Sequence, residues 1–153
     1  MAFLKAPDVI SGKEARAYAV IDGNVEELFY AKSVEATVEK NKTEIKVLGR
    51  RATQHKATGW SGSGTMTIYY VTSLFRRKVL EYARTGKDFY FTLVVTNEDP
   101  ASATGKQTAV LKECNIDSVI LAKFDVDADE LDEEVPFTFS DFDLPDQFNA
   151  LRG

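Results

Sequence analysis

The 153-residue sequence predicts one mainly β domain, spanning residues 1–153, with a single α-helix. Three observations support this prediction. Most segments alternate apolar and polar residues with the two-residue period of a half-buried strand. Turn-forming pairs that contain glycine separate several of these segments. Only one segment repeats its apolar residues at helical spacing, so we expect seven or eight strands and one helix.

The amino-terminal part is expected to form an extended arm over residues 1–13, followed by a hairpin. Pro7 disfavours a helical conformation at the residue before it. Asp22-Gly23 separates two β-prone runs, which is a strong short-range signal for a hairpin. The alternation then continues to Asn41-Lys42, where the sequence predicts another turn.

An extended inter-strand loop is expected over residues 49–64. This stretch is polar and shows neither the strand period nor the helix period. A loop of this length in a compact domain is usually functional, disordered, or an arm that becomes ordered on a partner. A passive surface loop is the alternative.

One helix is expected over residues 72–86. Thr72 or Ser73 can cap its start, and Gly86 stands where a carboxy-terminal stop belongs. The side chains expected to face the core are Leu74, Phe75, Val79, Leu80 and Ala83. The side chains expected on the exposed face are Arg76, Arg77 and Lys78.

Three further β segments follow the helix, namely FYFTLVV, TAVLKECNIDSVILAKF and VPFTFSDF. In the last of them Val135, Phe137 and Phe139 alternate with polar residues, so they are expected to be buried. Pro136 lacks an N–H group for a strand ladder, so this strand is expected at the edge of a sheet.

Charge is strongly segregated along the chain. Residues 125–146, within an acidic carboxy-terminal segment over 125–153, hold ten acidic residues and no basic one. The whole chain carries −5, so the residues outside 125–146 carry +5. Residues 40–60 hold six basic residues against one acidic residue. Two segments of opposite sign are complementary surfaces for copies of the same chain.

Signatures of catalysis and metal binding are weak, so no enzymatic activity, cofactor or metal is expected. The single histidine, His55, lies in a polar stretch, and the single cysteine, Cys114, is expected to be a buried and inert thiol. Asp125, Asp127 and Asp129 resemble the start of an EF-hand loop, but glycine is missing at its sixth position and glutamate at its twelfth. No apolar run reaches the roughly 18–20 residues of a membrane helix, so no stable membrane association is expected.

Several long sequence motifs of this chain recur in the same order in one known family. The most specific are EKNKTEIKVLGRR and LDEEVPFTFSDFDLP, with YYVTSLFRRKVLEYARTG between them. Over about residues 1–148 the chain resembles the XkdM-like phage tail tube proteins of contractile tails and defective phage elements. The resemblance implies a β-sandwich or barrel-like tail-tube protomer with one flanking α-helix.

The resemblance also implies an assembly. Such protomers are expected to form hexameric rings that stack into the inner tube of a contractile tail, in which inner strands of six copies form one barrel. The tube is expected to conduct double-stranded DNA without specific binding, or to act as a needle in a phage-derived bacteriocin. The implied partners are the tail sheath, baseplate hub and tape-measure proteins. The implied location is the virion tail, assembled in the cytoplasm of a bacterial host.

Two groups of residues are candidates for interaction sites in such an assembly. The loop residues expected to contact a neighbouring subunit or ring are Arg50, Arg51, His55, Lys56 and Trp60. The polar strand residues expected at the wall of the lumen are Glu35, Thr37, Glu39, Thr65 and Thr67. Alternation places each lumen candidate on a face but does not decide whether that face lines the lumen or the outer surface.

Two other functions remain open at this point. A monomeric ligand-binding β-barrel module would use the many aromatic residues to line an apolar cavity. A small intracellular hydrolase would use carboxylates of the acidic segment.

Overall fold

The computed structural model describes residues 15–27, 31–102 and 104–149, so the expected arm over residues 1–13 lies outside the described residues. The described residues form eight strands and one helix. In chain order these are β1 (Ala15–Ile21), β2 (Asn24–Glu27), β3 (Ala31–Ile45), β4 (Gln54–Tyr69), α1 (Leu74–Thr85), β5 (Phe91–Glu98), β6 (Lys106–Ile116), β7 (Asp132–Phe139) and β8 (Asp141–Asp146). The predicted mainly β architecture with one helix is confirmed.

The strands pair in the order β2-β1-β5-β6-β7-β4-β3, with β8 attached to β6, and every pair is antiparallel. The strands form two sheets that share β6. The first sheet contains β1, β2, β5 and β8, and the second contains β3, β4 and β7. The first part of β6 pairs with β5 and β8 in the first sheet, and its last two residues pair with β7 in the second sheet. Just before the change of sheet, Glu113 has a φ of 55°, which places its backbone in the left-handed region.

One core cluster takes its side chains from both sheets and from α1. The expected buried face of β7 is confirmed, because Val135, Phe137 and Phe139 are at most 5% exposed. Phe75 of α1 packs against Phe91 of β5, with ring centroids 6.0 Å apart. The predicted hairpin is also confirmed, since Asp22-Gly23 joins β1 to β2 with positive φ at both residues.

The expected edge position of the strand around Pro136 is wrong. β7 pairs with β4 on one side and with the end of β6 on the other. The carbonyl of Pro136 accepts a hydrogen bond from the N–H of Asp117 at 2.9 Å. An interior position is possible because this contact uses the proline carbonyl and needs no N–H from it.

The expected loop over residues 49–64 is also wrong, since residues 54–64 belong to β4. The turn expected at Asn41-Lys42 is a register shift inside a continuous β3, where the Thr58 hydroxyl donates to the Asn41 carbonyl at 3.1 Å. β7 pairs only with residues 62–69 of β4. Residues 39–61 therefore form a two-stranded projection, here called the ribbon, which ends in a short loop at residues 46–53.

Two glycines allow β4 to lie against the aromatic residues of β7. Gly62 and Gly64 pair with Phe139 and Phe137. A Cβ atom at Gly64 would lie 2.6 Å from a ring carbon of Phe137 and 2.5 Å from the backbone oxygen of Glu35. Both distances are too short, so only glycine permits this contact between β4 and its two neighbours.

α1 occupies Leu74–Thr85 within the expected range, but it presents a different face to the core. The Thr72 hydroxyl accepts a hydrogen bond from the Leu74 N–H at 3.2 Å, and Gly86 ends the helix with a left-handed φ of 76°. Leu80 and Ala83, expected to face the core, are exposed, Leu80 by 52%. The expected exposure of Arg76 is wrong as well, since this side chain reaches a buried carboxylate.

The ion pair between Arg76 and Glu133 connects α1 to β7. The Glu133 side chain is 1% exposed, and one of its oxygens lies 2.6 Å from Nη1 of Arg76. The same nitrogen donates to the carbonyl of Ile120 at 3.3 Å, and the guanidinium lies 4.4 Å from the centroid of the Tyr70 ring. One guanidinium thus holds together the helix, the second sheet and the segment that follows β6.

We expect Arg76→Ala to lower the free energy of unfolding by about 3–5 kcal/mol, because it leaves the buried Glu133 carboxylate unpaired. The neighbouring and exposed Arg77 is the matched control. Arg77→Ala should change stability by less than about 0.5 kcal/mol. Urea unfolding followed by circular dichroism measures both values. A loss below about 1 kcal/mol for Arg76→Ala, the scale of a surface pair, would contradict the buried arrangement.

We expect Gly64→Ala to cost about 1–3 kcal/mol, because the added methyl overpacks the contact with Phe137 and Glu35. Gly59 in the same strand is the control, since the nearest atom to an added Cβ lies 3.9 Å away. Gly59→Ala should be neutral or stabilise the fold by up to about 1 kcal/mol. Thermal unfolding of the two variants makes the comparison, and equal effects would show that β4 does not lie against β7 as described.

Candidate functional site: the ribbon and the polar face of its sheet

The structure brings the five lumen candidates together on one face of the second sheet. Glu35 pairs with Thr65 across β3 and β4, and Thr67 pairs with Ser33. Thr37 and Glu39 follow on the same face of β3 because residues two apart point the same way. The opposite face contributes Met66 to the core. The five residues therefore form one surface, because β3 and β4 pair in this register. The place of this surface in an assembly stays a prediction.

This polar face extends across β3, β4 and β7, and its side chains are either acidic or uncharged. None of its eleven positions is buried. They hold three glutamates and no basic residue: Ser33, Glu35, Thr37, Glu39, Ser61, Ser63, Thr65, Thr67, Glu134, Pro136 and Thr138. Asp117 also lies beside it, in a shallow groove with Glu35 and Pro136. Such a surface offers no cation to a phosphate group.

The five contact candidates are divided between the two ends of the ribbon. Arg50 and Arg51 lie in the loop at its end, and His55 and Lys56 follow in β4, all of them exposed. Trp60 lies where the ribbon meets the core and contacts Phe142 edge-on, with centroids 5.4 Å apart. The first four are available to a neighbouring molecule, whereas Trp60 mainly supports the base of the ribbon.

Sequence reasoning missed the segment that connects β6 to β7. Residues 117–131, here called the connecting segment, continue the apolar alternation of β6 and were expected to extend its strand to Phe124. They contain no strand, and Leu121 and Phe124 are 81% and 86% exposed. The apolar alternation therefore predicted that these side chains are buried, and this prediction is wrong. The unusual exposure of these apolar side chains becomes visible only in the fold.

Ion pairs fix the carboxy-terminal end of the connecting segment. Lys32 Nζ lies 2.7 Å from a Glu130 carboxylate oxygen and 3.0 Å from one of Asp132. Its hydrogen bonds to these two carboxylates raise the pKa of Lys32, and the same contact lowers the pKa of Asp132. These two ion pairs connect the end of the segment to Lys32 near the start of β3.

The described residues include one thiol, which is buried, and no cluster suited to a metal ion. The expected burial of Cys114 is confirmed. Burial raises the pKa of its thiol to about 12, and the sulfur donates to the Leu111 carbonyl, which disfavours the reactive thiolate. Across residues 15–27, 31–102 and 104–149, no group of three or more histidine, cysteine or acidic side chains is arranged to hold a metal ion. The described chain also has no helix that is both long and apolar enough to cross a bilayer.

Comparison with known proteins identifies the family. The family model described as "Phage tail tube protein" matches residues 2–146. YqbM of Bacillus subtilis strain 168, an uncharacterised protein, is 48% identical over 147 residues, covering 96% of this chain and 97% of its own. XkdM, a protein of the phage-like element PBSX of the same strain, is 47% identical over 146 residues, with 95% and 97% covered.

Solved structures agree at the level of the fold. The cap that terminates the tube of the anti-feeding prophage superimposes with a TM-score of 0.70 at 7% identity, over 94% of this chain and 95% of that one. A chain of the sheath–tube complex of an extracellular contractile injection system gives 0.59 at 14% identity, over 84% and 87%. The chain belongs to the phage tail tube protein family, and its role is that of a structural component of a tail tube.

Proposed function

We propose that this tail tube protein forms six-membered rings that stack head-to-tail into the inner tube of a contractile tail. The unpaired edge of β3 is the observation that carries this proposal. β3 and β2 are the end strands of the hydrogen-bonded order. Within the described part of the chain, the 15 residues of β3 pair on one side only, with β4.

A long free edge of this kind needs a partner. Unpaired N–H and C=O groups along an edge strand are a template for adding another strand, and natural proteins cover or close such edges. Edge-to-edge pairing of the second sheet of one copy with the next copy would continue the sheet around a ring. A ring closed in this way leaves no free edge in the second sheet, which favours a finite number of subunits over open aggregation.

The polar face of the second sheet suits the wall of the resulting channel. The opposite face of this sheet contributes to the core, so the polar face is free to line a lumen. Its glutamates, Glu35, Glu39 and Glu134, repel phosphate, and its remaining side chains supply no cation. Double-stranded DNA would pass such a wall without the salt-dependent attachment that cationic contacts produce. In a particle without DNA the same tube would act as a rigid needle.

The outer surface of the ring would then carry α1. Arg77 and Leu80 are exposed on this helix and are available to a sheath subunit in a contractile particle. The structural neighbour from a contractile injection system occurs in a sheath–tube complex, which supports this partner for the present chain. The baseplate hub and a tape-measure protein are the partners expected at the ends and inside the tube. Assembly would take place in the cytoplasm of a bacterial host, and the role requires neither cofactor nor catalysis.

Purified chain should form rings with a mass of six times 17.0 kDa, about 102 kDa, and longer stacks as its concentration rises. Sedimentation velocity over a concentration series gives the masses. Cryo-electron microscopy of the stacks gives the ring symmetry and the face that lines the channel. We expect sixfold symmetry with Glu35 and Glu39 facing the lumen. A chain that stays at 17.0 kDa at high concentration would overturn the assembly, and tubes with both glutamates on the outside would overturn the lumen assignment.

A further inference from the structure

Two exposed apolar surfaces of opposite charge lie at opposite ends of the second sheet. One is the connecting segment, and the other is the end of the ribbon at residues 45–51, here called the tip. We propose that the tip of one copy docks onto the connecting segment of a second copy in the next ring. This inference rests on the stacked assembly proposed above and specifies which two surfaces meet between rings.

The connecting segment presents apolar side chains from a backbone that is held in place. Leu121, Phe124 and Val126 are 81%, 86% and 78% exposed. Both ends of the segment are anchored to the rest of the domain. The Arg76 guanidinium bonds the Ile120 carbonyl, and the Tyr70 N–H donates to the Leu131 carbonyl at 2.9 Å. Large apolar side chains that a fold fixes in solvent mark an interaction surface.

Acidic groups surround these apolar side chains. Asp125, Asp127 and Asp129 are exposed, and none of them forms an ion pair with another described residue. The only side-chain hydrogen bond recorded for the three within the described residues is local, from the Asp127 N–H to the Asp125 carboxylate at 3.0 Å. The segment therefore combines three apolar side chains with three carboxylates that are free to meet cations of another molecule.

The tip has the complementary composition. Leu48 is fully exposed, and Ile45 and Val47 are 37% and 41% exposed. Three cations stand among them, and none has an acidic partner in the described part of the chain: Lys46, Arg50 and Arg51. An apolar centre surrounded by basic groups thus matches an apolar centre surrounded by acidic groups.

The strand register places the two surfaces at opposite ends of the protomer. Asp132, which follows the connecting segment, pairs with Tyr69 at the end of β4, next to the start of β3. The tip follows Ile45 at the far end of β3. The 15 residues of β3 span about 45 Å at 3.3 Å per residue, so the tip cannot reach the connecting segment of its own copy.

A neighbour displaced along the strands of the second sheet does bring the two surfaces together. The contact is heterologous, since each copy offers its tip on one side and its connecting segment on the other. Repetition of such a contact without closure generates a filament, which is what stacking of rings requires. Burial of the apolar side chains supplies the attraction, and the opposite charges orient the encounter and make it depend on salt.

Charge reversal at each surface tests this pairing in the full-length chain. One variant carries Arg50→Asp and Arg51→Asp, and the other carries Asp125→Arg and Asp127→Arg. Each variant alone should stack at least about tenfold less than wild type, because it sets like charges against each other. An equimolar mixture should stack again, since each variant then offers its partner the opposite charge. Sedimentation gives the stacked fraction, and circular dichroism confirms the fold.

The control is reversal of two exposed cations elsewhere, Arg84→Asp with Lys87→Asp near the end of α1, which should leave stacking unchanged. Leu48→Ser tests the apolar part and should weaken stacking without affecting the rings. Wild-type stacking by either charge variant alone, or no recovery in the mixture, would overturn the pairing while the rings remain. A wild-type chain that forms neither rings nor stacks would instead overturn the proposed function, and the pairing with it.

Discussion

The main constraint on the structure is that β4 pairs with β7 over only part of its length. Residues 62–69 of this strand are held on both sides, by β3 and by β7, whereas residues 54–61 pair with β3 alone. The first part supplies Met66 and Ile68 to the core, and both are fully buried. The second part leaves the domain as the ribbon, whose residues are exposed on both faces apart from the half-buried Gln54. An isolated two-stranded hairpin is marginal in water, so we propose that a neighbouring copy stabilises the ribbon.

Alternation predicted the elements whose two faces differ. It located the buried face of β7 and the face shared by Glu35 and Thr65, because at these positions one face meets the core and the other meets water. It failed for the ribbon, where water lies on both sides and the two-residue period disappears although the backbone is paired. It failed in the opposite sense for the connecting segment, where Leu121 and Phe124 look like strand residues but are exposed.

Long-range partners explain the errors on α1. Helical spacing suggested a stripe containing Leu80 and an exposed Arg76, and the fold reverses these two assignments. The reason is Glu133, a buried carboxylate 57 residues away in the sequence, which attracts the guanidinium toward the second sheet. Nothing local to the helix carries that information. The contact candidates show the same limit: their basic composition was visible in the sequence, but only the register of β3 and β4 separates Trp60 at the base from Arg50 at the tip.

The domain has a conventional core, and we propose that its ribbon becomes stable only between copies. Amide hydrogen exchange measures this directly, since protection requires hydrogen bonds that stay closed. In dilute protomers we expect fast exchange in residues 39–61 and slow exchange in residues 62–69 of the same strand pair. In assembled tubes the ribbon should become as protected as the core. Equal and strong protection of the ribbon in dilute protomers would contradict this proposal, because the hairpin would then be stable without a neighbour.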